Sequence, residues 1–263
     1  MELENVLYLK TDGIAKITLN RPKAFNSLNP GLGRDLVRAL EIAQQDSEVR
    51  VVLLTGSGKS FCTGGDLKYF TEFLETHPTE PFRQIIKDLN IAVMLIRRMP
   101  KPVIAVINGV AGGAGVSLAA SCDLRICASS VKFRQAYTSI ALACDGGWSL
   151  FIPLLVGMGK AMELTLLDPV FDAKEALEWG LVTKVVDDAE LENESMKMAA
   201  QLARGATYAF ALAKENINRS VLGMLESQIE LERTGMINAS RSEDYPEGIK
   251  SFLEKKKPNF QGK

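Results

Sequence analysis

The stretch 100-PKPVIAVINGVAGGAGVSLAASCDL-124 carries the clearest structural pattern in the chain. It predicts a buried apolar strand, a glycine-rich turn and a helix of small residues, in that order. A wholly apolar strand that runs through glycines toward a helix is typical of a crossover unit in an α/β fold. Backbone N–H groups at such a turn can hold an oxyanion, although glycines there also serve tight turns and close helix packing.

A second stretch of the same kind, 51-VVLLTGSGKSFCTGGDL-67, lies upstream. Two glycine turns of this type favour a functional site over a purely structural role. Before them we predict a hairpin of strands 6–9 and 14–19 around Asp12-Gly13, then a helix from Pro30. The apolar strand that follows is predicted over residues 49–54.

Helices dominate the later part of the chain. We predict a helix over 172–180, because Asp172 is a good N-cap residue and Gly180 a good terminator. From about Glu190 onward the sequence predicts helices only. The expected architecture is therefore an α/β core with a helical end that forms an oligomer contact.

Charge and hydropathy exclude several classes of protein. The chain has 263 residues, with 31 Lys+Arg against 32 Asp+Glu. A near-neutral chain without basic blocks does not predict a nucleic-acid partner. No apolar run approaches the roughly 20 residues of a membrane helix, and the first residues do not resemble a signal peptide.

The cysteines and the one histidine narrow the chemistry. The four cysteines are Cys62, Cys122, Cys127 and Cys144. No CxxC pair is present, so we predict no metal or redox motif, and we expect reduced thiols in the cytoplasm. His77 lies in the loop-like LETHPTEPF and is expected to be solvated. Acid–base chemistry is therefore expected to depend on carboxylates.

The sequence resembles the crotonase (enoyl-CoA hydratase/isomerase) family over essentially its whole length. The resemblance rests on both glycine stretches and on three further segments in order: ITLNRPKAFNSLN (17–29), FDAKEALEWGLV (171–182) and EGIKSFLEKKKPNF (247–260). It implies a spiral of repeated ββα units, taken here as residues 1–195, with a helical trimerisation segment over 196–263. It also implies acyl-CoA substrates, no cofactor beyond the coenzyme A of the substrate, and a homotrimer or a dimer of trimers.

The resemblance implies site residues position by position. The backbone N–H groups of Gly65 and Ala114 are expected to stabilise the oxygen of a thioester enolate. The positions matched to coenzyme A contacts are Lys23, Ala24, Phe25, Asp66, Leu67, Phe252 and Lys255. The last two usually reach the nucleotide of a neighbouring subunit, and Lys255 is explained equally well as a solvated charge.

The expected reaction follows from three positions. Hydratases of the family add water with two glutamates, whereas this chain has Ser117 and Tyr137 there, neither of which replaces a carboxylate in water activation. Asp145, in ACDGGWSLFIPLLVG (143–157), instead resembles the acid–base residue of the enoyl-CoA isomerase and ring-1,2-epoxyphenylacetyl-CoA isomerase type. The resemblance implies that this one carboxyl moves a proton between C2 and C4 of an enoyl thioester.

Other readings stay open at this point. They are a hydratase or hydrolase, a dehalogenase, and a non-catalytic scaffold. Asn90 and Tyr137 replace the histidine and tryptophan of the dehalogenases, which disfavours dehalogenase activity. We place Ser117, Tyr137 and Trp148 in the acyl-binding part of the site, where Trp148 reshapes the pocket and Tyr137 either lines it or hydrogen-bonds through its hydroxyl.

Overall fold

A computed structural model describes residues 3–263, which form ten strands and eleven helices. The strands are β1 (Val6–Thr11), β2 (Ile14–Leu19), β3 (Val51–Gly56), β4 (Ser60–Cys62), β5 (Val103–Ile107), β6 (Val110–Gly112), β7 (Leu124–Ala128), β8 (Lys132–Arg134), β9 (Phe171–Asp172) and β10 (Lys184–Val186). The helices are α1 (Pro30–Gln45), α2 (Leu67–Thr71), α3 (Glu80–Arg98), α4 (Ala114–Ser121), α5 (Trp148–Val156), α6 (Met158–Leu167), α7 (Ala173–Glu178), α8 (Leu191–Ala203), α9 (Thr207–Val221), α10 (Leu225–Ala239) and α11 (Asp244–Leu253).

The larger sheet has six strands in the order β1-β2-β3-β5-β7-β10. Only β1 and β2 are antiparallel, and they form the predicted hairpin around Asp12-Gly13. Every residue of β3 and β5 is buried, which explains their apolar sequences. The prediction was wrong about where β3 begins: the N–H of Val49 donates to the carbonyl of Asp46 (3.1 Å) and closes a turn, so the strand starts at Val51.

The smaller sheet has four strands in the order β4-β6-β8-β9. The chain passes from the larger to the smaller sheet three times, from β3 to β4, from β5 to β6 and from β7 to β8. Helix α2 follows β4, and α4 follows β6. This alternation is the expected repeat of two strands and a helix, and it brings the two glycine turns to neighbouring strands.

The helical end packs on the same core as the strands. Helix α8 packs against β2, β3 and β7, α10 against α3 and α5, and α11 against the short turn at Thr138–Ile140. Buried apolar residues from Val6 in β1 to Ile249 in α11 form one cluster. The predicted division between residues 195 and 196 falls inside α8.

Across residues 3–263, no helix combines the length and the apolar character that crossing a bilayer requires.

Candidate active site

The two glycine turns meet at the ends of β4 and β6. Gly65 lies just before α2, and Ala114 is the first residue of α4. A Cβ placed on Gly64 would lie 3.4 Å from the amide nitrogen of Ala114, so the two turns are in contact. No acceptor within residues 3–263 receives the N–H of Gly65 or of Ala114, the latter being a first-turn donor of its helix. The two turns that carry the implied donors are therefore in contact, and neither N–H has an acceptor among the described residues.

Backbone conformation explains the glycines of these turns. Gly64 has φ of +88°, and Gly113 has φ of +50° with ψ of −129°. L-amino acids with a side chain rarely adopt these conformations. Glycine therefore suits both positions, and Gly113 is also the N-cap of α4.

Asp145 lies in a turn that is packed onto α3 and α4. Only 5% of the residue is exposed. The next two residues, Gly146 and Gly147, have φ of +65° and +84°, and a Cβ on Gly146 would lie 3.0 Å from the Cβ of Ser117 and from Cδ2 of Leu89. The turn thus places Asp145 beside α4, close to the helix start that Ala114 forms.

Tyr137 connects this carboxylate to the glycine turns. Its hydroxyl donates to Oδ1 of Asp145 at 2.7 Å and lies 3.1 Å from Oγ of Ser117. Its ring lies beside Gly113, where an added Cβ would be 3.9 Å from Cε1 of Tyr137. Of the two roles considered for Tyr137, the structure thus contains the hydrogen bond. Ser117 and Tyr137, the positions matched to two glutamates, instead form one hydrogen-bonded chain that ends at Asp145.

Burial gives Asp145 an unusual proton affinity. Loss of water raises the pKa of its carboxyl to about 7, the hydrogen bond from Tyr137 opposes this shift, and the negative charge of Glu232 adds to it. Burial and the Asp145 charge also raise the pKa of Tyr137 well above its usual value, so the tyrosine remains a donor at neutral pH. A carboxyl that titrates near pH 7 can both take and return a proton.

Glu232 is a residue of this site that the sequence did not lead us to expect. This α10 side chain is 7% exposed, and its carboxylate accepts from the N–H of Gly147 (2.7 Å) and of Ser149 (2.8 Å). One signal was present: Glu232 occupies the same helical face as the buried Leu225, Ile229 and Met236. A glutamate on an apolar face requires partners, and here they are the amides that follow Asp145.

Trp148 packs against Tyr137, and Asn90 joins two helices next to the site. Trp148 is 1% exposed, its ring stands edge-on to that of Tyr137, and its indole N–H donates to Oγ1 of Thr165 (3.0 Å). The side-chain amide of Asn90 donates to the carbonyl of Ile229 (3.2 Å) and so joins α3 to α10.

The positions matched to coenzyme A contacts lie in two places. Lys23, Ala24 and Phe25 form an exposed turn, and the Oγ1 of Thr63 donates to the carbonyl of Phe25 (3.3 Å), beside the first glycine turn. Asp66 and Leu67 begin α2, where the Asp66 carboxylate caps the helix and pairs with Arg21 at 2.8 Å.

Phe252 and Lys255 lie at the exposed end of α11. Within residues 3–263, no hydrogen bond or ion pair joins them to the turn of Lys23, Ala24 and Phe25. The helix that carries them packs on residues 138–140 of its own chain.

His77 is exposed, as predicted, and lies in the turn before α3.

A cavity of about 1130 Å³ lies elsewhere, between α9 and the end of α3, and none of the site residues lines it. Its cations already have partners inside the protein: the Nζ of Lys214, for example, donates to Asp123 at 2.7 Å. Residues 3–263 contain no cluster of His, Cys, Asp and Glu suited to hold a metal ion.

Comparisons with known proteins give one consistent similarity. A family model described as enoyl-CoA hydratase/isomerase matches residues 10–263. The 1,2-epoxyphenylacetyl-CoA isomerase of Escherichia coli (strain K12) is 37% identical over 265 residues, which cover 99% of this chain and 100% of the relative. A short-chain-enoyl-CoA hydratase of Clostridium acetobutylicum is 35% identical, with 98% and 97% covered. The crystal structure of an enoyl-CoA hydratase from Mycobacterium avium subsp. paratuberculosis K-10 superposes with a TM-score of 0.88 at 35% identity, with 98% of each chain covered.

Proposed function

Because this chain belongs to the enoyl-CoA hydratase/isomerase family, we propose that it shifts the double bond of an enoyl-CoA thioester, with Asp145 as the one acid–base group. The observation that carries the proposal is the 2.7 Å hydrogen bond to the buried Asp145 from Tyr137, whose ring lies beside Gly113 of the second glycine turn. The relatives include both an isomerase and a hydratase, so the choice of isomerisation rests on this arrangement.

The thioester oxygen is placed between the N–H groups of Gly65 and Ala114. Oδ2 of Asp145 removes a proton from C2 of a 3-enoyl thioester, and the electron pair of that C–H bond moves onto the thioester oxygen through a dienolate. Each backbone donor contributes about 3 kcal/mol to stabilising the developing charge. The carboxyl then returns the same proton to C4, which leaves the double bond between C2 and C3.

Tyr137 gives the two oxygens of Asp145 different tasks. It holds Oδ1, whereas Oδ2 has no hydrogen-bond partner among residues 3–263. The proton is therefore carried on Oδ2. Hydration is disfavoured, because a water molecule would need a second carboxylate where Ser117 and Tyr137 now bond to each other. No cofactor beyond the coenzyme A of the substrate takes part in this scheme.

The fold also supports self-association, and we expect a homotrimer or a dimer of trimers. Along α5, α6 and the turn after them lies an apolar strip whose members are between 49% and 74% exposed: Leu154, Met158, Met162, Leu166, Leu167 and Val170. Exposed apolar patches of this kind mark contact surfaces. The four free cysteines support the expected reducing compartment, the cytoplasm.

The test is isomerisation of 3-hexenoyl-CoA, followed by the absorbance of the conjugated product. We expect Asp145→Asn to lower kcat by about 10³-fold or more, while the affinity for the thioester stays within about twofold. The matched control is Asp187→Asn. Asp187 is an exposed aspartate that is not one of the site residues, so this change should leave kcat unchanged. Full activity of Asp145→Asn would refute the mechanism, and hydration of crotonyl-CoA with kcat/KM at or above ~10⁴ M⁻¹s⁻¹ would favour a hydratase.

A further inference from the structure

Glu232 joins the C-terminal helix α10 to the turn that carries Asp145. Its Oε2 accepts from the N–H of Gly147, and its Oε1 accepts from both the N–H and the hydroxyl of Ser149. Gln228, one helical turn earlier, donates to the same hydroxyl at 2.7 Å. Two side chains of one helix therefore hold the start of α5.

This contact replaces a missing cap. The N-terminal N–H groups of a helix are usually satisfied by the side chain of the N-cap residue, but the N-cap of α5 is Gly147. Its predecessor Gly146 also has a positive φ, and neither glycine has a side chain that could fix the turn. A carboxylate at a helix N-terminus is favoured by the helix dipole as well. Glu232 thus supplies the cap from another element.

The two carboxylates have unequal surroundings. Glu232 receives three hydrogen bonds from donors, whereas Asp145 receives one, from Tyr137. Burial raises the pKa of both groups, and in Glu232 the three donors oppose that rise. A proton shared between such groups resides on the one with fewer donors.

We propose that Glu232 is a positioning residue for Asp145: it anchors the turn of Gly146 and Gly147, and its charge makes Asp145 the carboxyl of the pair that takes up and returns the proton. This role rests on the proposed function, because it assigns Glu232 a part in the same acid–base step.

Burial has the largest effect on the pKa of Asp145, and the charge of Glu232 raises that pKa further. The other ionisable groups that face Asp145 are Tyr137, Cys144 in its own loop and Cys62 of β4. Burial raises the pKa of both thiols to about 12 and that of Tyr137 well above its usual value, so all three are neutral near pH 7. Ser117 of α4 reaches Asp145 only through Tyr137.

The experiment compares the pH profiles of kcat/KM for wild type and Glu232→Gln, with 3-hexenoyl-CoA as substrate. Loss of the neighbouring negative charge makes ionised Asp145 more stable, so the acidic limb should move down by roughly half a unit to one unit. Glutamine has only one side-chain oxygen, so it cannot accept from both Gly147 and Ser149 as the carboxylate does. The turn should therefore be held less firmly, and kcat should fall by roughly tenfold to a hundredfold. KM should stay within about twofold.

Two variants separate charge from position. Glu232→Asp keeps the negative charge, but its side chain is too short to accept from the amides of the turn. We therefore expect kcat to fall while the acidic limb of the pH profile stays in place. Glu230→Gln removes the same charge from an exposed position on α10 and should alter neither quantity. The proposal would be overturned if folded Glu232→Gln had the acidic limb of wild type. It would also be overturned if Glu232→Asp had the kcat of wild type, and this second test does not require Glu232→Gln to fold.

A carboxyl titration keeps this test independent of turnover. The ¹³C signal of the Asp145 carboxyl, assigned by its loss in Asp145→Asn, should titrate near pH 7 in wild type and at lower pH in Glu232→Gln. A wild-type enzyme without isomerase activity would contradict the proposed function alone. Identical titrations in the two proteins would contradict the role of Glu232 alone.

Discussion

One hydrogen bond defines the chemistry at the scale of the residue. Asp145 is buried, and without a partner its carboxyl would resist ionisation even more strongly than it does. Tyr137 restores part of the lost solvation by donating to Oδ1. The balance holds the pKa of Asp145 at about 7, between the values suited to a pure base and a pure acid. Tyrosine in a position matched to a glutamate therefore tunes the remaining carboxylate.

Tyr137→Phe should shift the acidic limb of the kcat/KM profile upward. The hydrogen bond favours the ionised form of Asp145, so its loss raises the pKa, by about one unit. Near pH 7 the ionised fraction then falls, and activity should fall by roughly fivefold, with recovery at higher pH. This direction is opposite to that expected for Glu232→Gln. Profiles of wild type and Tyr137→Phe that coincide would show that the hydroxyl does not act on Asp145.

Backbone shape determines the site at the scale of the element. Helix α4 begins after Gly113, which has a positive φ, and a Cβ on Gly64 of the other glycine turn would lie 3.4 Å from the nitrogen of Ala114. Close packing adds a second constraint, since a Cβ on Gly115 would lie 2.0 Å from the carbonyl oxygen of Cys62 in β4. The strand and the helix can approach this closely only with glycine there. Close packing thus fixes the start of α4 against β4, next to the turn proposed to supply a donor.

Gly113→Ala should impair both stability and catalysis. The added methyl group meets no atom closer than 3.5 Å, so the cost comes from the positive φ. We expect a loss of about 1–3 kcal/mol in the free energy of unfolding, and a fall in kcat/KM of about 10²-fold as the Ala114 N–H turns away. Gly159→Ala, in an open position of α6, is the control and should instead add about 0.5–1 kcal/mol. Denaturant titration and the isomerase assay measure the two effects, and unchanged kcat/KM in Gly113→Ala would count against the donor role of Ala114.

The helical end completes the site at the scale of the whole molecule. Helix α10 supplies Glu232, and α11 packs on the turn at residues 138–140, directly after Tyr137. Each of the two residues that bear on Asp145 is therefore supported by a C-terminal helix. Removal of this end should disturb the acid–base group.

Leu167→Asp should weaken self-association. Leu167 is 74% exposed and lies in the apolar strip of α5 and α6, where a charge would have to lose its water in a contact between subunits. We expect the mass found by light scattering after size exclusion to fall from that of a trimer or hexamer toward that of a monomer. Leu9→Asp, on the outer face of β1, is the control, because Leu9 is similarly exposed but distant from the strip. A wild-type assembly with Leu167→Asp would exclude this strip from the interface.

The sequence alone predicts the alternation of buried strands and glycine turns, and with it the α/β class and the candidate carboxylate. These features are local, since an apolar strand, a glycine of positive φ and a carboxyl before two glycines each leave a pattern within a few residues. The proton affinity of Asp145, in contrast, depends on the tertiary structure. Tyr137 lies 8 residues away and Glu232 87 residues away from it, and no local pattern couples such separated groups. Their effects depend on burial and on distances of a few ångströms, which arise when the helical end packs onto the core.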